Sequence, residues 1–220
     1  MPNPLYDQLF GRHAGAQTPF LHLAPGQTLT HDAFLRRAAQ FAHVLAGTGL
    51  RPGDRLAAQI HKSPEALALY AACAQAGVVF LPLNTAYTAA ELQYFIQDSG
   101  ASLIVCDGAS ETEMAEMAAD LGARLAVLNA DGSGSLAMAA DGQPEMFETA
   151  DRGEDDLAAL LYTSGTTGRS KGAMLSQRNL LSNSEALVEC WRFTNKDVLL
   201  HALPIFHTHG LFVATNVTLI

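Results

Sequence analysis

The residues of this chain best equipped for chemistry lie between Thr163 and Lys171, inside the stretch YTSGTTGRSKGAMLS that runs from Tyr162 to Ser176. Gly165 and Gly168 permit backbone conformations that side chains forbid, so the amides from Ser164 to Gly168 can converge on one concavity, an anion nest. The hydroxyls of Thr163, Ser164, Thr166 and Thr167 add neutral donors, and Lys171 adds the point charge that a polyphosphate requires. A nucleotide triphosphate is the ligand this set suits. The spacing departs from the G-x-x-x-x-G-K-[ST] phosphate loop, because Lys171 stands between Ser170 and Gly172. Two other readings attach to the same residues. Gly168-Arg169-Ser170-Lys171-Gly172 fits the G-x-S-x-G nucleophile elbow, which would make Ser170 a nucleophile. That elbow needs its serine at a direct strand-to-helix turn, whereas a glycine-threonine segment precedes Ser170 and KGAMLS follows it. A plain surface linker is the second, although a linker has no need of a lysine or of flanking strands.

Other reactive side chains are scattered. His207 and His209 form an H-x-H pair that a strand would point to one face, with His201 nearby, but no carboxylate or cysteine adjoins them to complete a metal site. Cys73, Cys106 and Cys190 lie far apart without a C-x-x-C pair, and are expected as buried free thiols.

Positioning the glycine-threonine loop falls to an alternation of helices and short apolar strands. Thr30 caps an expected helix with Phe34, Ala38, Phe41 and Leu45 on its apolar face. Pro52-Gly53 turns into the strand RLAAQI, and Ser63-Pro64 starts the helix EALALYAACAQA, which Gly77 closes. The strand VVFLPL, a capping box at Thr88 and Glu91, a helix closed by Gly100, the strand SLIVC, a helix from about Glu111 to Leu121 and the strand RLAVL follow. Short apolar strands that do not alternate with polar residues indicate an α/β fold with a mostly parallel sheet covered on both faces. Such sheets bind ligands at their carboxyl ends. Residues 129–153 read as a long surface connection, with a short element near Met146. DDLAALLYT is a strand that runs into the glycine loop, GAML a second one, Ser176 the cap of another helix, and DVLLHALP a further strand.

At 220 residues and 49% hydrophobic composition the chain can bury a substantial core, as one large domain or two small ones. A net charge of -9 with only 13 Lys and Arg excludes a polyanion partner such as nucleic acid, which demands clustered cations. The start MPNPLYDQLFGRH lacks a signal-peptide pattern, and no segment reaches the roughly 18–20 apolar residues of a membrane span, so a cytoplasmic protein with no membrane partner is expected. The chain stops at LFVATNVTLI, within an apolar run and with no terminating polar tail, glycine or cap, and the expectation is that the rest of a longer polypeptide follows.

YTSGTTGRSKGAMLS resembles the phosphate-binding signature of the adenylate-forming superfamily, which includes acyl-CoA synthetases, peptide-synthetase adenylation domains and firefly luciferase; the match covers Ser164 to Gly172 without a break. LTHDAFLRRAAQFAHVL, AQAGVVFLPLNTAYTAAELQYFIQDSGASLIV and LPIFHTHG are similar to further segments of that superfamily, in the same order. The resemblance implies that this chain is the N-terminal part of a large ATP- and acyl-binding domain, with 129–153 connecting sub-lobes. It implies activation of a carboxylate by ATP and magnesium to an acyl-adenylate, then transfer to the thiol of coenzyme A. Thr163, Ser164, Gly165, Thr166, Thr167, Gly168, Arg169, Ser170 and Lys171 would hold the β and γ phosphates, with Thr163 at the magnesium. Phe206 and His207 would line the acyl and adenylate site, where the residues alone allow a histidine that merely fills the sheet edge. No residue of the chain is implied as a nucleophile. HALPIFHTHGLFVATNVTL is most similar to malonyl-CoA synthetases, which implies malonate or methylmalonate as the acid. The arginine for the second carboxylate would lie beyond Ile220, so a medium-chain fatty acid or aryl acid ligase is the alternative. The superfamily's Tyr-Gly-x-Thr-Glu segment, ribose-binding aspartate, hinge and C-terminal lysine are not among these residues, and the other expectation is a noncatalytic nucleotide-binding fragment.

Overall fold

The structure is a computed structural model that describes residues 2–23, 26–163 and 170–220. A first helix, α1 (Pro4–Leu9), precedes an antiparallel hairpin of β1 (Pro19–Leu23) and β2 (Gln27–Thr30), and then α2 (His31–Gly47). The alternating part comprises β3 (Arg55–Gln59), α3 (Pro64–Ala76), β4 (Val79–Pro82), α4 (Ala89–Ser99), β5 (Leu103–Cys106), α5 (Glu111–Leu121) and β6 (Arg124–Val127). It is followed by α6 (Ser135–Ala140), β7 (Leu157–Thr163), β8 (Lys171–Ser176) and α7 (Gln177–Trp191). A π-helical turn, His209–Thr215, leads into a last helical turn at Asn216–Leu219.

Local chemistry sets the helix limits. Thr30 accepts the Ala33 N–H and Ser63 the Ala66 N–H, and Thr88 with Glu91 makes the reciprocal capping box. Gly77 closes α3 at φ +70°, where a Cβ would also stand 2.9 Å from the Arg152 side chain. By contrast α7 ends on Arg192 at φ 57°, a left-handed position without glycine.

Among the described residues, six strands form one sheet in the order β6-β5-β3-β4-β7-β8, parallel except for β8, which returns antiparallel beside β7. The fold is thus α/β, a mostly parallel sheet flanked by helices. Successive strand residues feed opposite faces. Leu56, Leu103, Val105, Ala159 and Leu161 pack with Leu5, Phe34, Leu69 and Leu180 on one side. Ala57, Ile104, Cys106 and Leu160 pack with Leu92, Phe95, Met114 and Met117 of α4 and α5 on the other. Each fully buried leucine contributes about 2 kcal/mol, which makes burial on both faces the main force that holds the strands in register.

Three expectations need correction. DVLLHALP is no strand: propensity makes a strand only where a neighbour completes the ladder, and Val198 and Leu200 are 80% and 90% exposed. The short element of the connection after β6 lies at α6, where Leu136, Ala137 and Ala140 are buried, and not near Met146, which is 85% exposed. Residues around Met146 are instead strapped down by side chains, with the Met146 carbonyl 2.8 Å from His43 Nε2 and the Ala150 carbonyl accepting from Asn3. Cys73 and Cys106 are buried thiols, but Cys190 is exposed, because it sits on the outer face of α7 near its end.

Candidate functional site

The parallel strands all end at one edge of the sheet, and the loop after β7 leaves from that edge. Thr163 ends β7, Lys171 begins β8, and the two are ladder partners. Opposed residues of an antiparallel pair stand roughly 5 Å apart at Cβ, so a hydroxyl and an ammonium flank the base of the loop together. Both side chains are exposed and accessible to a ligand. Ser164, Gly165, Thr166, Thr167, Gly168 and Arg169, the centre of the expected anion nest, lie outside the described residues. Ser170 passes directly into a β-strand, not a helix, which departs from the nucleophile-elbow geometry.

The hairpin base is held by α4. Tyr94 Oη donates to the Ser170 carbonyl at 2.9 Å, and Tyr162 Oη donates to Asp98 Oδ2 at 2.7 Å. The Phe95 ring, buried on the inner face of α4, stacks on Tyr162 with centroids 4.4 Å apart. Gly172 lets the Tyr162 ring lie against the hairpin, since a Cβ there would be 3.3 Å from Tyr162 Cζ. Burial, then the hydrogen bond and the charge of Asp98, push the Tyr162 phenol well above its ordinary range, so it is a fixed donor at neutral pH. Both legs of the loop therefore leave a rigid base. Such preorganisation serves a ligand whose charge must be oriented before reaction.

Phe206 and His207 lie in an irregular segment anchored at the same edge. Lys62, three residues past the end of β3, donates to the carbonyls of His201 at 2.7 Å and Leu203 at 3.0 Å. His207 is exposed and Phe206 half-buried, with ring centroids 5.0 Å apart. The amides of Gly210 and Leu211 cap the His207 carbonyl at 3.1 and 3.0 Å. His201 turns away, its Nε2 3.0 Å from the Gly210 carbonyl and 3.1 Å from Thr215 Oγ1. The described residues contain no group of three His, Cys, Asp or Glu side chains placed to hold a metal ion.

Sequence reasoning missed Tyr94, Asp98 and Lys62 as supports. Tyr94 and Phe95 form an adjacent aromatic pair on α4 with Asp98 one turn on, a pattern that says "packed helix" but does not name the hairpin as its partner. Lys62 carries no signal beyond being a lone lysine before a helix cap.

Comparison with known proteins agrees with this geometry. The crystal structure of ATP-bound MatB from Rhodopseudomonas palustris superimposes with a TM-score of 0.94 at 54% identity, covering 100% of this chain and 44% of that one. A feruloyl-CoA synthase of Amycolatopsis sp is 38% identical over 196 residues, 89% of this chain and 38% of its own length. The malonate–CoA ligase ACSF3, mitochondrial, of Mus musculus is 40% identical over 136 residues, 61% of this chain and 23% of its own length. This chain thus spans less than half the length of the relatives it matches. The AMP-binding enzyme family matches continuously over residues 11–220, from the first turns after α1 to the last helical turn, and the chain belongs to that family.

Proposed function

We propose that the polypeptide to which these residues belong is an AMP-forming acid–CoA ligase: it joins a carboxylic acid to ATP as an acyl-adenylate, releases pyrophosphate, and passes the acyl group to coenzyme A. The observation that carries this reading is the hairpin in which Thr163 and Lys171 flank the glycine-threonine loop at the carboxyl edge of the sheet. A carboxylate that attacks an α-phosphorus meets a screen of anionic oxygens, and a loop that neutralises and orients the triphosphate removes most of that obstacle. In this reading residues 163–171 hold the β and γ phosphates, and Lys171 supplies the compensating charge. Magnesium takes oxygen ligands, and the exposed Thr163 hydroxyl offers one beside those of the phosphates. In this reading the chain corresponds to the N-terminal part of the large domain and residues 129–153 connect its sub-lobes, supported by the matched relatives, of whose length it covers less than half. Among the described residues no helix is long and apolar enough to cross a membrane; a cytoplasmic setting is part of the proposal.

Malonate is the proposed acid, with Phe206 and His207 lining its site, supported by the identity to a malonate–CoA ligase. An aryl acid is the second reading, favoured by the longer match to a feruloyl-CoA synthase. Acid-dependent ATP/pyrophosphate exchange on the intact protein, with malonate, acetate, octanoate and benzoate in parallel, separates them. Exchange driven best by malonate is the expected result. A preference for benzoate or octanoate transfers the reading to the alternative acids, and no exchange with any acid defeats the ligase reading.

A further inference from the structure

Among the described residues no strand ladder holds the Phe206-His207 segment, and two side chains take over that task. Lys62 is pinned at its own base: β3 ends at Gln59, and Ser63, the buried N-cap of α3, follows it directly with Pro64 locking the first helical position. From this fixed point the Lys62 ammonium reaches the carbonyls of His201 and Leu203. The second fastening is His201, whose Nε2 donates to the Gly210 carbonyl and meets Thr215 Oγ1. Thr215 Oγ1 itself donates to that same carbonyl at 3.1 Å. A carbonyl only accepts, so the ring proton sits on Nε2, and the buried Nδ1 has no hydrogen-bond partner among the described residues. Gly210 completes the closure, because a Cβ there would collide with the Pro204 carbonyl. Residues 201–210 thus form a loop joined at its ends by His201 and tied to the sheet by Lys62, with Phe206 and His207 between the two fastenings.

We propose that Lys62 and His201 are positioning residues that fix Phe206 and His207 against the carboxyl edge of the sheet, and so set the affinity for the carboxylic acid without touching it. This rests on the assignment of Phe206 and His207 to the acid site. Charge-assisted hydrogen bonds to carbonyls are the stronger kind, so their loss should be visible although Lys62 is exposed. The test compares wild type, Lys62→Met, Lys62→Arg, His201→Ala and His201→Gln in the intact protein, by hydrogen–deuterium exchange of the peptide covering 201–207 and by the KM values for malonate and ATP in pyrophosphate exchange. Expected are faster deuterium uptake at 201–207 and a KM for malonate raised about tenfold in Lys62→Met and His201→Ala, with the KM for ATP and uptake in β3 to β5 unchanged. Lys62→Arg and His201→Gln, which keep a donor, should recover part of both effects. Unchanged uptake at 201–207 overturns the fastening, whatever the enzyme activity. Faster uptake with an unchanged KM for malonate overturns the positioning role. If wild type exchanges with none of the acids, the ligase reading and the positioning role fall together, while deuterium uptake still decides whether Lys62 and His201 fasten the loop.

Discussion

Lys171 and Ser170 are neighbours with opposite prospects. The Lys171 side chain is exposed at the mouth of the loop, opposite Thr163, whereas Ser170 is tied through its backbone carbonyl, which Tyr94 holds. If Lys171 meets the phosphates as proposed, its replacement by alanine removes a charge-assisted contact of typically about 1.5–3 kcal/mol, so magnesium-ATP affinity or the adenylation rate should fall roughly 10- to 100-fold. Ser170→Ala should retain acid activation. Isothermal titration with ATP, alongside exchange assays, checks both, and complete inactivity of Ser170→Ala with intact ATP binding would revive the nucleophile reading. Tyr94→Phe keeps the ring and removes the hydroxyl that holds the Ser170 carbonyl. A several-fold weaker ATP affinity at an unchanged melting temperature is the expected outcome, and an unchanged affinity would mean that the loop needs no such tether.

At the scale of elements, the junction of β2 and α2 carries a pH dependence. His31, the first residue of α2, stacks on His13 at 4.4 Å and on Phe20 at 4.8 Å. Burial, then repulsion from His13, lowers its pKa from the ordinary 6.5 to about 4. The unfolded chain therefore takes up this proton first as the pH falls. Stability from this group is complete above about pH 6.5, declines as the pH drops towards 4, and changes no further below that. Urea denaturation of wild type and His31→Gln at pH 7 and pH 5 measures the effect: wild type should lose more of its midpoint than the variant. An equal loss would place the acid sensitivity in the carboxylates instead.

On the scale of the whole molecule, the N-terminus is joined to distant segments through polar contacts that sequence distance hides. Gln177, the first residue of α7 and 2% exposed, accepts the Leu5 N–H of α1 at 3.0 Å. Asn3 reaches the carbonyls of Ala74 and Ala150. The segment before β7 and the helix after β8 are thereby fixed to the N-terminus, which steadies the hairpin between them. Gln177→Ala leaves a buried N–H without an acceptor, and a loss of about 1–3 kcal/mol is expected in denaturant unfolding. A change below about 0.5 kcal/mol would show that water replaces the lost acceptor.

Much of this fold was legible because its signals are local. A serine or threonine three residues before an orphan amide, a proline at the first helical turn and a glycine in left-handed geometry act within four or five residues, so the starts of α2, α3 and α4 and the ends of α3, α4 and α5 follow from the chain alone. The loop from Thr163 to Lys171 stood out for a similar reason, since its glycines, hydroxyls and lysine are contiguous, and the hairpin base that carries it is formed by Thr163 and Lys171. Contacts across the chain were not. DVLLHALP has the composition of a strand, and only the absence of a ladder partner among the described residues left it irregular and passed its support to Lys62, 139 and 141 residues away. Cys190 looked like its buried counterparts until the rotation of α7 turned it outward. The sequence by itself determined where most of the helices and sheet strands begin and end, and it gathered into one contiguous stretch the residues proposed to meet a polyphosphate. The tertiary structure alone decided which helix braces the hairpin of β7 and β8 and which lysine holds the histidine loop, because those choices depend on strand order and on which faces meet, quantities that no short window of residues contains.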